Sequence, residues 1–414
     1  ILASPKVRHR KPVLAFALVF CVGLLLYFKY FRFLAESVQA LLRLAGRDTA
    51  WRLWDILLPV GCSFYTFQAM SYVIDVYRDP QKAERHAGYY ALYISFFPQL
   101  VAGPIERADR LLPQLRAERS RNRSDLAMGL RLLGSGFFRK LVIADLCGRY
   151  VTAVYASPTP DGSAVCAATL LFGVQIWCDF AGYSEIAQGS ARLLGIRLMR
   201  NFDRPYCARD IREFWRRWHI SLMSWFRDYV YFPLGGSRCA IWKAYRNTLI
   251  VFAVSGLWHG ANWTFVVWGI YNALLIILWR VHGFHTSRDN VNNWKYIPSR
   301  DFGKILLTFF LVIIGFIIFR AENLTQAYGI LSRMFVTLFD GFHLEFGKRV
   351  IIFGIIPLII AEYLQGSKAH VLQFPNNRLF SHKVVRWTVY VVLLTVIFSF
   401  SFTGESQEFI YFQF

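Results

Sequence analysis

Hydrophobic residues in this chain gather into long uncharged runs that are separated by short basic loops. A bilayer hydrocarbon core is about 30 Å thick, and a helix needs about 20 apolar residues to cross it. The runs that span or nearly span this thickness are Pro12–Phe28, Leu57–Ile74, Tyr89–Ile105, Gly162–Cys178, Asn247–Trp279, Ile305–Phe319 and Trp387–Thr403. Shorter runs lie at Val350–Ala361 and around Val142. The pattern predicts an all-α polytopic membrane protein with about nine to eleven transmembrane, re-entrant and interfacial helices.

The run from Asn247 to Trp279 is too long for one span, because as continuous helix it would reach roughly 50 Å. Gly256 and Gly260 flank its central histidine, His259, in the sequence GLWHGANW and lower helix propensity there. We therefore expect two membrane segments with an irregular joint. His259 would lie near mid-membrane, where an ionisable side chain is costly and marks a candidate functional site. The alternative is a histidine that only hydrogen-bonds between helices.

Composition supports a membrane protein and argues against nucleic-acid binding, a metal site and a nucleotide cofactor. Hydrophobic residues make up 55% of the chain and charged residues 18%, with a mean hydropathy of +0.35, a balance unlike that of ordinary soluble domains. The net charge of +21 is concentrated in loops, which predicts cytoplasmic loops that meet anionic lipid and no nucleic-acid partner. The seven cysteines show no ligand spacing, so no metal site is expected. Glycine-rich nucleotide loops are absent from the sequence, and we expect no bound cofactor.

The densest basic cluster runs from Arg200 to Arg246, and we place it on the cytoplasmic face. Most of it is the stretch 201–236, NFDRPYCARDIREFWRRWHISLMSWFRDYVYFPLGG. Aromatic residues interleaved with arginines are typical of helices at the membrane interface. Asp210 followed by Glu213 has the pattern of a helix N-terminus. We predict an interfacial helix that begins there and carries His219.

Helical spacing places Trp215, Arg216 and His219 on one face of that helix, with Arg217 beside them. Guanidinium groups at this position suit a phosphate-rich acyl donor. They suit anchoring in lipid headgroups equally well. Both interpretations stay open on the residues alone.

Two histidines, His219 near the cytoplasmic interface and His259 at mid-depth, suggest acyl transfer reached through a channel. A neutral imidazole can take a proton from an attacking hydroxyl or thiol and return it to the leaving group. The rings of Trp258 and Trp263 would exclude water from a thioester. A proton-coupled lipid or glycan transporter would also use a histidine in the membrane, so residue chemistry leaves this alternative open.

A series of ordered motifs runs through the chain: PVGCSFYTFQAMSYVIDVYR from Pro59, SFFPQLVAGPIERADRLLPQL from Ser95, QIWCDFAGYSEIAQGSARLLGI from Gln175, NFDRPY from Asn201, and FIYFQF at the end. With FWRRWHISLMSWFRDYVYFPLGGSR and SGLWHGANWTFVVWGIYNALL, they resemble the membrane-bound O-acyltransferase family. The resemblance is to its bacterial exopolysaccharide branch, typified by alginate O-acetylases. It implies a ring of helices around a central tunnel.

By this resemblance, His259 corresponds to the family's invariant histidine and His219 to its second signature histidine, and both are the catalytic candidates. The candidate donor- or substrate-binding residues are Trp215, Arg216, Arg217, Trp258, Asn262, Asp179, Tyr183 and Ser184. For the last three, hydrogen bonding between helices is the stronger expectation.

The resemblance implies one membrane domain over residues 1–414, from which some N-terminal helices of the family are expected to be missing, in a bacterial inner membrane. We expect an O-acyltransferase that passes acetyl from a cytoplasmic thioester, acetyl-CoA or an acyl carrier, toward an extracellular or periplasmic polysaccharide. The expected partners are that polysaccharide, a periplasmic acetyltransferase or acyl carrier, and membrane lipids. D-alanyl transfer and peptidoglycan acylation are alternatives of the same chemistry.

Overall fold

The computed structural model describes residues 2–3, 9–47, 51, 56–57, 59–101, 103–118, 122–157, 162–283, 299–336, 355–365, 372, 382–401 and 409–410. Its helices are α1 (Arg10–Leu25), α2 (Phe31–Leu44), α3 (Cys62–Arg78), α4 (Ala87–Ser95), α5 (Phe97–Leu100), α6 (Ala108–Arg116), α7 (Arg123–Phe137), α8 (Asp145–Ala156), α9 (Gly162–Leu193), α10 (Ile211–Arg217), α11 (Ile220–Phe226), α12 (Ile241–His259), α13 (Trp263–Val281), α14 (Ser299–Arg320), α15 (Leu324–Val336), α16 (Ile356–Gln365) and α17 (Lys383–Ser401). Wider π-helical turns lie at Leu26–Tyr30, Phe138–Ala144 and Arg227–Tyr231.

Five helices among the described residues are long and apolar enough to cross a membrane. They are Arg10–Leu44, which runs through α1 and α2, together with Gly162–Leu193, Trp263–Val281, Asp301–Arg320 and Lys383–Ser401. These helices confirm the all-α polytopic prediction. The expected total of nine to eleven segments stays a prediction, because residues 337–354 and other parts of the chain lie outside the described residues.

The run Tyr89–Ile105 does not form one span, contrary to the prediction from its hydrophobicity. α4 ends at Ser95, Phe96 has non-helical dihedral angles, and the four-residue helix α5 follows. Pro98 explains the break, since proline lacks an amide hydrogen and its ring clashes with a preceding helical turn. It is accepted in the first turn of α5, where amide groups have no partner within the helix.

α9 is the central helix of the described fold, and 83% of its most apolar 18-residue stretch is buried. It packs against α7, α8, α14 and α15. The contact with α7 depends on glycine, because a Cβ on Gly182 would lie 2.7 Å from the carbonyl oxygen of Gly136. Small residues at membrane helix contacts let backbones approach closely and gain dispersion energy. α9 therefore provides a fixed wall for the elements that carry the histidines.

The long run Asn247–Trp279 is divided into two segments, as predicted. α12 ends at His259, Gly260 is extended, and α13 begins at Trp263 after Asn262 accepts a hydrogen bond from the amide of Thr264 at 3.1 Å. The role predicted for Gly256 is wrong, because this residue lies inside α12 and does not interrupt it. A Cβ there would lie 2.1 Å from the carbonyl oxygen of Phe265. Its missing side chain lets α13 pack directly on α12.

Candidate active site

His259 is the last residue of α12, and aromatic rings enclose its imidazole. The residue is only 6% exposed. Its ring centroid lies 5.0 Å from that of Trp258, 5.2 Å from Trp268 and 5.4 Å from Phe319. All three ring pairs are near-perpendicular, the edge-to-face geometry that aromatic rings favour. The histidine is thus held in a buried aromatic pocket at a helix end.

His219 lies in a left-handed turn between α10 and α11, with φ of 45°. The prediction that it shares a helix face with Trp215 and Arg216 is wrong. α10 ends at Arg217, and the amide of Ile220 donates to the carbonyl oxygen of Asn201 at 2.9 Å in place of a helical bond. A left-handed non-glycine residue costs about 1–3 kcal/mol and persists only where the surroundings fix it.

The fold brings the two histidines side by side. Their ring centroids are 6.4 Å apart. His219 also lies 5.9 Å from the ring of Trp258 and 4.6 Å from that of Phe180. The predicted separation in depth, with His219 at the interface and His259 deeper, is therefore wrong. The two imidazoles form one site, and residues of α9 and α12 supply its walls.

The residues around His219 are connected by buried side-chain hydrogen bonds. Nδ2 of Asn201 donates to Oγ of Ser184 at 2.9 Å, and Oγ of Ser221 donates to Oδ1 of Asn201 at 2.6 Å. The amide of Ile105 in turn donates to Oγ of Ser221 at 3.1 Å. Ser184 therefore acts in the way expected of a polar residue that joins helices, and it helps to fix the strained turn.

Asp179 and Tyr183 face the C-terminal segment. The Asp179 carboxylate pairs with Nζ of Lys140 at 2.8 Å and accepts a hydrogen bond from the amide of Ile410 at 2.7 Å. The Tyr183 ring lies 4.9 Å from that of Phe409. The Asp179–Lys140 pair joins α9 to the π-helical turn Phe138–Ala144, as the interhelical interpretation expects. The contacts with Phe409 and Ile410 join α9 to a segment that is not a helix. Only residues 409–410 of the terminal FIYFQF motif lie within the described residues.

A cavity of about 330 Å³ opens beside this site. Its lining residues are Arg212, Trp215, Arg216, Ile220, Met223, Ser224, Arg227, Tyr231, Thr248, Val251, Phe252 and Ile276. Trp215 connects the cavity with the histidine pocket, because its ring lies 5.7 Å from that of Trp268, which contacts His259. The buried Trp215 indole N–H has no hydrogen-bond acceptor within the described part of the chain. The cavity is therefore basic at its rim and aromatic toward the histidines.

The neighbouring arginines Arg216 and Arg217 have different environments. Arg216 is exposed and lines the cavity, whereas Arg217 is 3% exposed and pairs with the carboxylate of Glu213. Burial acts to raise the pKa of Glu213, but Arg217 and the amide of Arg209 outweigh it and lower that pKa below its ordinary value. The predicted N-cap is confirmed, since Asp210 accepts from the amide of Glu213 at 2.7 Å. Arg217 thus holds the α10 helix together.

Of the other tryptophan and asparagine candidates, one lies at the histidines and the others lie away from them. Trp258 is buried and its ring contacts both histidines. Trp263, also expected to shield a thioester, is 54% exposed, and its ring packs 5.4 Å from that of Phe33. The shielding prediction for Trp263 is wrong because it begins α13 on the outer face of that helix. Asn262 caps α13 and donates to the carbonyl oxygen of Glu322 at 2.8 Å. Its observed contacts are structural.

Two residues that the sequence did not single out touch the end of α12. Nζ of Lys29 donates to the carbonyl oxygens of Trp258 and His259, and the Tyr30 hydroxyl donates to that of Leu257. Lys29 lies just beyond the uncharged run Pro12–Phe28 and has the usual position of a span-ending charge. The sequence therefore carried no signal for these contacts, since the partners of Lys29 lie 229 and 230 residues away along the chain.

Comparison with known proteins gives consistent matches. The model of the membrane-bound O-acyltransferase family matches residues 80–320. The chain is 36% identical over 354 residues to a probable alginate O-acetylase of Pseudomonas aeruginosa, covering 85% of this chain and 66% of that protein. It is 30% identical to a peptidoglycan O-acetyltransferase of Helicobacter pylori, with 98% and 83% covered. A teichoic acid D-alanyltransferase of Streptococcus thermophilus is 30% identical, with 64% and 69% covered.

The extent of these matches differs between relatives. The chain spans from 58% to 66% of the length of the curated alginate O-acetylases that it matches. It spans a larger share, 83%, of the peptidoglycan O-acetyltransferase. The family model covers the histidine pair, the arginine-lined cavity and α9. By the matched segment and by these identities, the chain belongs to the membrane-bound O-acyltransferase family.

Proposed function

We propose that this protein is a multi-pass membrane O-acyltransferase that passes an acetyl group from a cytoplasmic thioester toward a polysaccharide outside the membrane. The acceptor is the polysaccharide itself or a periplasmic acetyltransferase that receives the group first. The observation that carries the proposal is the buried pair of His219 and His259, with ring centroids 6.4 Å apart beside an arginine-lined cavity.

The histidine pair suits proton transfer during acyl exchange. His259 takes the proton from the acceptor hydroxyl as the oxygen attacks the thioester carbonyl carbon, so that the C–O bond forms and the C–S bond breaks. The proton then goes to the leaving thiolate, which departs as a thiol. General acid–base catalysis of this kind contributes about 10²–10⁴ in rate. His219, in contact with Trp258, shapes the side of the pocket from which the donor enters.

The cavity supports a phosphorylated donor. Arg212, Arg216 and Arg227 surround its rim, and guanidinium groups bind phosphate with paired hydrogen bonds. Its volume of about 330 Å³ is in the range of small-molecule sites. Trp215 lines the cavity, and its buried indole N–H has no acceptor among the described residues, so a donor carbonyl bound there would supply one. Acetyl-CoA and an acylated phosphopantetheine carrier both carry the required phosphate and thioester.

The direction of transfer follows from charge. Arg212, Arg216 and Arg227 belong to the basic stretch that continues to Arg246, and short basic segments remain on the cytoplasmic side of bacterial inner membranes. Ser237 is exposed in this stretch. A cysteine at Ser237, with Cys239→Ala, should react with impermeant maleimide in inverted vesicles and not in intact cells. Labelling of intact cells would reverse the proposed direction.

The experiment that tests the activity compares membranes with wild-type protein, His259→Ala and Trp263→Ala. Inverted vesicles receive acetyl-CoA labelled in the acetyl group, and thiol release and label in polysaccharide are measured. We expect both products with the wild type and Trp263→Ala and neither with His259→Ala. Thiol release at the wild-type rate by His259→Ala contradicts the assignment. Polysaccharide that crosses the membrane without gaining label would instead indicate the transporter alternative.

The same assay shows whether the protein transfers acetyl or D-alanyl groups. The matched relatives include a peptidoglycan O-acetyltransferase and a teichoic acid D-alanyltransferase. Replacing acetyl-CoA with a D-alanyl thioester of phosphopantetheine measures the alternative directly. Acetyl is the proposed group because the matches to the alginate and peptidoglycan relatives, both named for acetyl transfer, extend over 85% and 98% of this chain, whereas the match to the D-alanyltransferase extends over 64% of it.

A further inference from the structure

The C-terminal end of α12, where His259 lies, is clamped by the N-terminal membrane helix. Nζ of Lys29 donates to the carbonyl oxygen of Trp258 at 2.6 Å and to that of His259 at 3.0 Å. The Tyr30 hydroxyl donates to the carbonyl oxygen of Leu257 at 2.7 Å. The last carbonyls of a helix have no donor within it, and the negative end of the helix dipole favours a cation. Three consecutive carbonyls at this end are thereby satisfied.

A π-helical turn places these donors. Lys29 and Tyr30 both lie in the turn Leu26–Tyr30, between α1 and α2. Elsewhere α1 presents large apolar side chains outward, with Phe16 74% exposed and Val19 69% exposed. A π-helical turn contains an additional residue and is rare, and such turns are frequent at functional sites. This one puts a lysine of an otherwise lipid-facing helix against the end of α12.

We propose that Lys29 is a positioning residue for acyl transfer, which fixes the backbone from which the His259 imidazole extends. This role rests on the proposed function of His259. By fixing the carbonyl groups of Trp258 and His259, Lys29 positions both of their side chains. Nζ of Lys29 also lies 5.9 Å from the centroid of the Trp258 ring. Trp258 in turn contacts both histidines. A displacement of about 1 Å at reacting atoms lowers rates by up to about 10²-fold, so a loosened helix end should affect catalysis directly.

The same N-terminal helix supplies a matched control. Nη2 of Arg10 donates to the carbonyl oxygens of Val76 at 3.0 Å and Tyr77 at 2.8 Å, at the C-terminal end of α3. This is the same kind of clamp, a cation on the last carbonyls of a neighbouring helix, but the end of α3 carries neither histidine. Arg10→Met therefore removes equivalent packing and leaves the proposed positioning intact.

The experiment measures initial rates of thiol release from acetyl-CoA in inverted vesicles, over a range of acetyl-CoA concentrations and per amount of folded protein. We expect Lys29→Met to lower kcat about 10- to 100-fold, with KM changed by less than about twofold because the donor cavity is untouched. Lys29→Arg, which keeps a cation and several donors, should restore most of kcat. Arg10→Met should lower the melting temperature and keep kcat.

Tyr30→Phe is the second variant, in case Lys29→Met does not accumulate. It removes the bond to Leu257 and keeps the lysine, so we expect a smaller decrease in kcat, with KM unchanged. A wild-type kcat in folded Lys29→Met overturns the positioning role. If Lys29→Met does not accumulate, a wild-type kcat in Tyr30→Phe overturns it. An equal loss of kcat in Arg10→Met also overturns it. Activity in His259→Ala would instead show that the proposed function is wrong.

Discussion

The two histidines of the candidate site are held by different kinds of structure. His259 ends the long helix α12 and is enclosed by the rings of Trp258, Trp268 and Phe319. His219 lies in a strained left-handed turn, and the residues around it are joined by hydrogen bonds of Asn201. The difference shows that one site can combine a side chain positioned by packing with one positioned by a polar network.

The two kinds of support should respond differently to substitution. A packed helix end is sensitive to added volume, since overpacking forces backbone shifts. A polar network is sensitive to the loss of one partner, which leaves other buried polar groups unsatisfied. The following predictions separate the two sides of the site.

His259→Ala should have the largest effect on activity. Removal of a general base lowers the rate about 10²–10⁴-fold, while the protein should still insert because one imidazole contributes little to the helix bundle. His219→Ala should retain a larger part of the activity, since His219 shapes the pocket in the proposed mechanism. Thiol release and the acetyl ester content of surface polysaccharide measure both. Equal losses in the two variants would remove the functional distinction between the histidines.

Gly256→Ala tests the packed side. Its Cβ would lie 2.1 Å from the Phe265 carbonyl oxygen, so α12 and α13 must separate, at a cost of about 1–3 kcal/mol. We expect a lower melting temperature and lower activity. Gly329→Ala in α15 is the control, because no atom of a neighbouring element among the described residues lies within 4 Å of its added Cβ. There, higher helix propensity should stabilise the protein slightly. Unchanged stability and activity in Gly256→Ala would mean that α12 and α13 can separate at little cost in free energy.

Asn201→Ala tests the polar side. It leaves Ser184 and Ser221 without their bonds to the Asn201 side chain, and a buried unsatisfied group costs about 1–3 kcal/mol. We expect reduced thermal stability together with a loss of activity smaller than that of His259→Ala. Ser95→Ala is the control, because its hydroxyl donates to the carbonyl oxygen of Ala91 within its own helix on an exposed surface. Unchanged activity in Asn201→Ala would show that the turn at His219 holds without this network.

Substitutions of Arg216 and Arg217 should have the smallest effect on the chemical step, and they should differ from each other. Arg216→Gln should raise KM for acetyl-CoA with little change in stability, and Arg216→Lys should recover only part of it, because lysine lacks the bidentate fork. Arg217→Gln should lower stability, since it removes the buried one of the two arginines that pair with the buried Glu213 carboxylate and leaves only Arg209. Full rescue by Arg216→Lys would indicate lipid anchoring, because either cation gains about 1 kcal/mol from anionic lipid.

Much of the architecture was predictable because it depends on local properties. Five of the seven long apolar runs coincide with the candidate membrane helices of the described residues, whereas Leu57–Ile74 and Tyr89–Ile105 do not. The excessive length of Asn247–Trp279 required the joint that the structure has at Gly260. The Asp210 N-cap was predictable from the spacing of two acidic residues. The division of Tyr89–Ile105 was missed because hydrophobicity was given more weight than Pro98, which is a local signal.

The prediction that one helix carries Trp215, Arg216 and His219 was wrong because a contact with a distant segment ends that helix early. Nothing in the sequence FWRRWH shows that the amide of Ile220 bonds to Asn201, so the rule of helical spacing extended α10 too far. The same limit applies to Arg216 and Arg217, whose different environments depend on where Glu213 and the cavity lie. Lys29 was missed because its partners are 229 and 230 residues away.

The sequence by itself determined that the chain is a helical membrane protein and that the long run Asn247–Trp279 is divided near His259, and it supplied the candidate site residues. These properties follow from transfer of apolar side chains into lipid and from local backbone preferences, which act over a few residues. The tertiary structure decided that His219 and His259 share one pocket, that Trp215 lies between them and the cavity, and that Lys29 holds the end of α12. Such contacts join distant segments, and their geometry is fixed only when the whole set of helices packs together.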